Sequence, residues 1–148
     1  MFEAQSRIME QYAMKTSVYL AIDGNHTGKY LEKYILLNDM DGLRKFNDEI
    51  SGVIKRLETA IQSYAGTIYL SGGDNILARI DSVWVSEILH DVSHLSIGGY
   101  SFSAAVAETP QDAYIGLKYA KCTDQTHIRV IRTPYGEIQF ECLYRNGT

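Results

Sequence analysis

The sequence predicts an α/β chain of the α+β kind: a ferredoxin-like antiparallel sheet with helices on one face and a C-terminal β-hairpin. Three observations carry this expectation. The elements follow the order β-α-β-β-α-β and then α-β-β. A long apolar stripe at helical spacing lies between the first two strands. Two short runs of β-forming residues flank SGGDN, whose glycines and Asp-Asn suit a tight turn. One domain over residues 1–148 is expected, since two would each approach the lower limit of stable size.

Taken in order, Phe2, Ile8, Met9 and Tyr12 form a loosely amphipathic pattern that suggests a short helix. Ser17–Asp23 (SVYLAID) is a compact apolar run ending at an acid and Gly24, read as a buried strand. GNHTGK reads as a strand-to-helix loop before a short helix over Tyr30–Leu37. Leu43, Phe46, Ile50, Val53, Ile54, Leu57 and Ile61 recur every three or four residues, a helix that Gly66 stops. Thr67–Leu70 and Ile76–Ile80 form a hairpin around SGGDN. A helix follows Ser82, with Val85, Ile88, Leu89, Val92 and Leu95 on one side. Ser101–Ala107 is another strand, and Thr109-Pro110 caps a helix running to about Lys121. His127–Arg132 and Glu137–Leu143 flank Thr-Pro-Tyr-Gly as a closing hairpin.

Composition narrows the function classes. Hydrophobic residues at 45% and charged residues at 22% exclude a disordered chain. A net charge of −4 argues against a broad nucleic-acid face, so no long nucleic acid is expected as partner. No apolar run approaches ~18 residues, so no membrane span is expected. The opening MFEAQSRIMEQYAMKT lacks an apolar core and a cleavage site, which argues against a secretory signal. Cys122 and Cys142 stand in no CxxC pair and have no zinc-like His spacing. A reducing cytoplasm is the expected location.

In a ferredoxin-like topology the end of the first strand meets the start of the third. Asp23 is thereby expected beside the Ser71–Asn75 turn and Asp74. Two carboxylates on rigid strands suit Mg²⁺ or Mn²⁺, hard cations that take few protein ligands and leave room for phosphate oxygens. The paired glycines permit close approach of a triphosphate. The Gly24–Lys29 loop precedes a helix, so its N–H groups can face phosphates. Turn geometry alone also enriches hairpin tips in Gly, Asp and Asn, and spacing does not choose between the two readings.

Three segments point to a family. TIYLSGGDNILARI resembles the GGDD/GGDEF palm hairpin of nucleotide cyclases and of the large catalytic subunit of type III CRISPR complexes. VYLAIDGNHTGKYLEKYILLND resembles the first strand and loop of the minimal CRISPR polymerase (mCpol) family, where an acidic D-G-D is followed shortly by Gly. FSAAVAETPQDAYIGLKYAKC is similar to that family's later strand and helix. The likeness runs from about Ser17 to Arg132 in matching order. It implies a palm domain that joins ATP or other nucleoside triphosphates into a cyclic di- or oligonucleotide for antiviral signalling. It also implies a homodimer and a downstream effector. Carried over by position, Asp23 and Asp74 hold metal, with the Gly24 carbonyl a further ligand. Asn25, His26, Thr27, Gly28 and Ser71 border the nucleotide, and Gly72 and Gly73 open space for its triphosphate. Lys118 and Lys121 reach phosphates from one helix face.

The chain departs from the family pattern at two acidic positions. Asn25 replaces the second acid of D-G-D, and Asn75 that of GGDD. Asparagine offers a neutral carbonyl oxygen, which binds Mg²⁺ more weakly and cannot act as a base. Three explanations stay open: Asn75 is an introduced substitution, the enzyme works with Asp23, Asp74 and backbone carbonyls, or a nucleotide-binding sensor has lost its chemistry. Each singled-out side chain also has a plainer reading. The lysines suit a solvated face, Ser71 a turn, and His26 an exposed loop. His90, His94 and His127 are expected at the surface.

Overall fold

The computed structural model describes residues 16–95, 100–123 and 125–144. The helix expected around Ile8 lies outside them. The described elements are β1 (Ser17–Gly24), α1 (Thr27–Leu36), α2 (Met40–Ser63), β2 (Thr67–Gly72) and β3 (Asn75–Asp81). A 3₁₀ turn (Ser82–Trp84) leads into α3 (Val85–His94), followed by β4 (Phe102–Ala107), α4 (Pro110–Cys122), β5 (His127–Arg132) and β6 (Ile138–Tyr144). The strands form one mostly antiparallel sheet in the order β2-β3-β1-β4-β5-β6.

The expected architecture is present, with two refinements. β4 and β5 pair in parallel, because α4 carries the chain back between them. The helices also divide between the faces. Leu20, Ile22, Ile76, Ile80, Ala104 and Val106 pack with the apolar stripes of α2 and α3. Alternate strand positions, Ala21, Ala105, Ala107, Ile128 and Val130, pack instead against Ala113, Leu117 and Ala120 of α4. All six residues of β4 are buried, as a strand covered on both faces requires.

α2 illustrates which local effect wins. It contains Gly42 and Gly52, each a cost of ~1 kcal/mol within a helix. Against that, Phe46, Ile50, Val53, Ile54, Leu57 and Ile61 are buried, each contributing ~1.5–3 kcal/mol. Burial dominates. Asp39 caps the helix by accepting from the Gly42 N–H at 2.9 Å. α1 begins at Thr27, three residues earlier than its apolar pattern suggests, with exposed His26 at its N-cap at φ 61°.

On the second face, Thr109 caps α4 by accepting from the Asp112 N–H at 3.1 Å. Asp112 is buried and accepts two bonds from Arg132, at 2.9 and 3.0 Å, tying the start of α4 to the end of β5. These bonds hold its carboxyl below the usual carboxylate range. The two outer ladders, β2–β3 and β5–β6, each carry a register shift, and the three inner ladders run without one.

His127 corrects the surface expectation. It is 1% exposed, since as the first residue of β5 it pairs between Ala104 and Tyr144 inside the sheet. Burial lowers its pKa from 6.5 to about 4. Between these values the unfolded chain takes up a proton that the folded chain does not. The stability from the neutral ring is therefore complete above pH 6.5 and is lost as pH falls towards 4. The expected loss is about 3 kcal/mol across that window. Denaturant unfolding at pH 7 and pH 4 should show it, and His127→Gln should flatten the dependence.

Candidate active site

The site forms where β1 ends beside the β2–β3 turn. Asp23 pairs with Asn75 across the β1–β3 ladder, and the Gly24 N–H donates to the Asp74 carbonyl at 3.0 Å. The expected convergence of Asp23 with the SGGDN turn is present in the backbone. Gly73 and Asp74 form the turn itself, with Gly73 at φ +59° and Gly72 paired with Asn75. Positive φ at the first central residue alone is the glycine requirement of a type II′ hairpin turn.

Asp74 is held on the α2 side of the sheet. Its Oδ2 accepts a short hydrogen bond from the Thr27 hydroxyl. The Tyr100 hydroxyl lies 2.5 Å from Thr27 Oγ1 and 3.4 Å from Asp74 Oδ2. Each hydroxyl has one proton, so the shorter contacts make a relay: Tyr100 donates to Thr27, and Thr27 donates to Asp74. Tyr100 is fully buried among the rings of Tyr30, Phe46 and Phe102, packed edge-on at 5.2–5.4 Å. Burial, reinforced by the charges of Asp74 and Asp23, pushes its phenol well above the ordinary range. It remains a proton donor at neutral pH. Tyr100 precedes β4 with no local motif of its own, so sequence pattern does not single it out.

Asp23 points to the other face. Its Oδ2 forms an ion pair with Lys121 Nζ at 2.6 Å, and the same Nζ donates to the Gly24 carbonyl at 3.1 Å. Gly24 thus contacts both groups. On its other side a Cβ would stand 1.6 Å from the Tyr100 hydroxyl oxygen and 2.7 Å from Asp74 Oδ2. No side chain fits there.

The remaining residues fall into distinct positions. Asn25 is tied to β4: its Nδ2 donates to Ser101 Oγ at 3.0 Å, and its Oδ1 accepts from Ser103 Oγ at 2.7 Å. None of the described hydrogen bonds uses the Asn75 side chain. His26 and Gly28 are exposed at the start of α1. Ser71 donates to Glu58 of α2, which gives it a structural partner away from the turn. Gly72 and Gly73 border open space, where an added Cβ would meet nothing within 4 Å. Lys118 is exposed, with Nζ 5.1 Å from the Tyr114 ring centre. It does not join Lys121 at Asp23.

Residues 19–131 match the family model described as the minimal CRISPR polymerase domain. The chain belongs to this family. A comparison with curated proteins returned no match. Membership in the minimal CRISPR polymerase family implies nucleotidyltransferase-type chemistry with nucleotide substrates. The matched span contains Asp23, Asp74, Tyr100 and Lys121. Among the described residues no helix is long and apolar enough to cross a membrane.

The oxygen donors of Asp23, Asp74 and the Gly24 carbonyl are of the hard kind that suits a cation such as Mg²⁺. Asp23 Oδ2 and the Gly24 carbonyl already share one positive group, the Lys121 ammonium. Among the described residues no three His, Cys, Asp or Glu side chains form a metal cage. Positions 25 and 75 beside the two carboxylates are asparagines, and Mg²⁺ commonly uses only one or two carboxylates with phosphate and water.

Crowding at Gly24 gives a direct test. Gly24→Ala should cost about 1–3 kcal/mol by overpacking against Tyr100. Gly72→Ala, facing open space, should stay within about 0.5 kcal/mol. Denaturant midpoints of the two variants check the contrast.

Proposed function

We propose that the chain is a Mg²⁺- or Mn²⁺-dependent nucleotidyltransferase that joins ATP or another nucleoside triphosphate into a cyclic di- or oligonucleotide. The product serves antiviral signalling in the cytoplasm and is read by a downstream effector. The observation that carries this reading is the Asp23–Asn75 register, which joins the β1 carboxylate to the GGD turn within the family-matched span.

Asp23 and the Gly24 carbonyl would hold the cation on the α4 side, and Asp74 would serve a second cation from the opposite side of the strand end. When bound, the cation lowers the pKa of an attacking ribose hydroxyl and neutralises leaving pyrophosphate. The chain's own groups position the substrate. Gly72 and Gly73 leave room for the triphosphate along the turn. The first helical bond of α1 runs from the Tyr30 N–H to the His26 carbonyl. The N–H groups of Thr27, Gly28 and Lys29 therefore have no partner within the helix and can face phosphate oxygens. The Tyr100–Thr27 relay fixes one oxygen of Asp74 and leaves Oδ1 for a ligand. Lys118 supplies positive charge from α4. Ring closure needs two bound nucleotides facing each other, and the described residues of one chain form one such site, so the working form is a homodimer.

A second reading is favoured by Asn25, whose amide bonds to Ser101 and Ser103 in place of a cation. On that reading the palm binds nucleotide as a sensor without turning it over.

Calorimetry with ATP and Mg²⁺ should show at least about tenfold weaker binding for Asp23→Ala and Asp74→Ala, since charged hydrogen-bonding and ligand contacts are each worth ~1.5–3 kcal/mol. Unchanged affinity in both would reject the site. Asn75→Asp should raise pyrophosphate release from ATP, by up to roughly 10²–10³ if the added carboxylate acts on transition-state charge. Asn25→Asp should do less, because position 25 is held by Ser103 of β4 and by Ser101 just before it. Equal background rates in the parent and both variants, each folded by circular dichroism, would favour the sensor.

A further inference from the structure

Lys121 sits where the proposed site would seat a metal. Its Nζ makes contacts of 2.6 Å to Asp23 Oδ2 and 3.1 Å to the Gly24 carbonyl oxygen. These are two of the oxygens assigned above to the cation. The side chains of Lys121 and Asp23 are 28% and 23% exposed, so the pair is only partly screened by solvent. An ammonium is a compact point charge on a flexible four-carbon stem, able to fill a small oxygen-lined seat and to leave it. A divalent ion bound to the same two oxygens would stand in direct repulsion with the ammonium. The two cannot share the seat.

We propose that Lys121 is a built-in occupant of this seat, holding it against bare metal and vacating it when metal arrives with a triphosphate. The proposal rests on the metal–nucleotide reading above. Metal alone must break the Lys121–Asp23 pair and leaves the ammonium without an anionic partner. Metal with a triphosphate offers the ammonium phosphate oxygens within the sweep of its stem, replacing the lost contacts. Lys121 stands in the last turn of α4, where the partial negative charge of the helix end favours a cation throughout the swing. Metal and nucleotide are thereby coupled through one side chain, and linkage makes the coupling reciprocal. A purely structural ion pair would contribute to stability and would not couple the two ligands.

The test measures Mn²⁺ binding to the full chain by electron paramagnetic resonance of free Mn²⁺, with and without a non-hydrolysable ATP analogue. Lys121→Met and Lys121→Gln should bind Mn²⁺ alone at least about fivefold more tightly than the parent. The factor by which the analogue tightens Mn²⁺ binding should shrink correspondingly in both. Equal or weaker Mn²⁺ binding without nucleotide, in whichever variant keeps the parent's circular dichroism spectrum, overturns the proposal. Asp23→Asn separates the two levels of inference. If the parent binds Mn²⁺ with the analogue and Asp23→Asn does not, the metal–nucleotide reading stands and the lysine variants decide the role of Lys121. If the parent binds no Mn²⁺ even with the analogue, that reading fails and the proposal falls with it.

Discussion

The absence of a side chain at position 24 is the constraint on which the site geometry depends. The Tyr100 hydroxyl occupies the space that a Cβ would need, and Asp74 Oδ2 lies close behind it. With that space free, the end of β1 approaches the hairpin closely enough for the Gly24 N–H to bond the Asp74 carbonyl. The Gly24 carbonyl accepts from Lys121. A single residue thus links the turn, the buried phenol and the helix that carries the lysine.

The sheet separates the two carboxylates into different environments. Asp74 lies with Tyr100 and Thr27 on the side packed by α2 and α3, where neutral hydroxyls orient it. Asp23 lies on the side of α4 and meets a full positive charge. Small residues let α4 sit close to the sheet: a Cβ added at Gly116 would stand 2.5 Å from Val130 Cγ2 and 3.0 Å from Ala105 Cβ. Bulkier residues in that layer would lift the helix and carry Lys121 away from Asp23. Packing more than 80 residues from Asp23 in the sequence therefore helps to determine which cation the carboxylate meets.

Much of this was legible in the sequence. The seven-residue stripe of α2 and the β-rich runs around SGGDN identify the central elements, and topology alone brings Asp23 to the turn. The division of helices between faces also had a signal. FSAAVA runs apolar without alternation, the pattern of a strand buried on both sides, so a helix on the second face was inferable. His127 was not legible by the same logic. Alternation through HIRVIR places it with exposed Arg129, and only its pairing beside Ala104 buries it. Tyr100 escaped because its role arises from contacts with residues 26 and 73 positions away, which local pattern does not encode. The partners of Asn25 were hidden for the same reason, since Ser101 and Ser103 become neighbours only through strand pairing.

The register shifts in the outer ladders bear on how the molecule behaves at high concentration. β2 and β6 are the edges of the sheet, where backbone N–H and C=O groups point outward and can recruit a strand from another molecule. Each outer ladder is interrupted, between Ile68 and Leu70 on one side and between His127 and Ile128 on the other. Such irregularities twist and disrupt an edge locally, so an approaching strand meets an uneven template. Open-ended sheet growth is disfavoured at both margins, and association through faces or helices becomes the less hindered route.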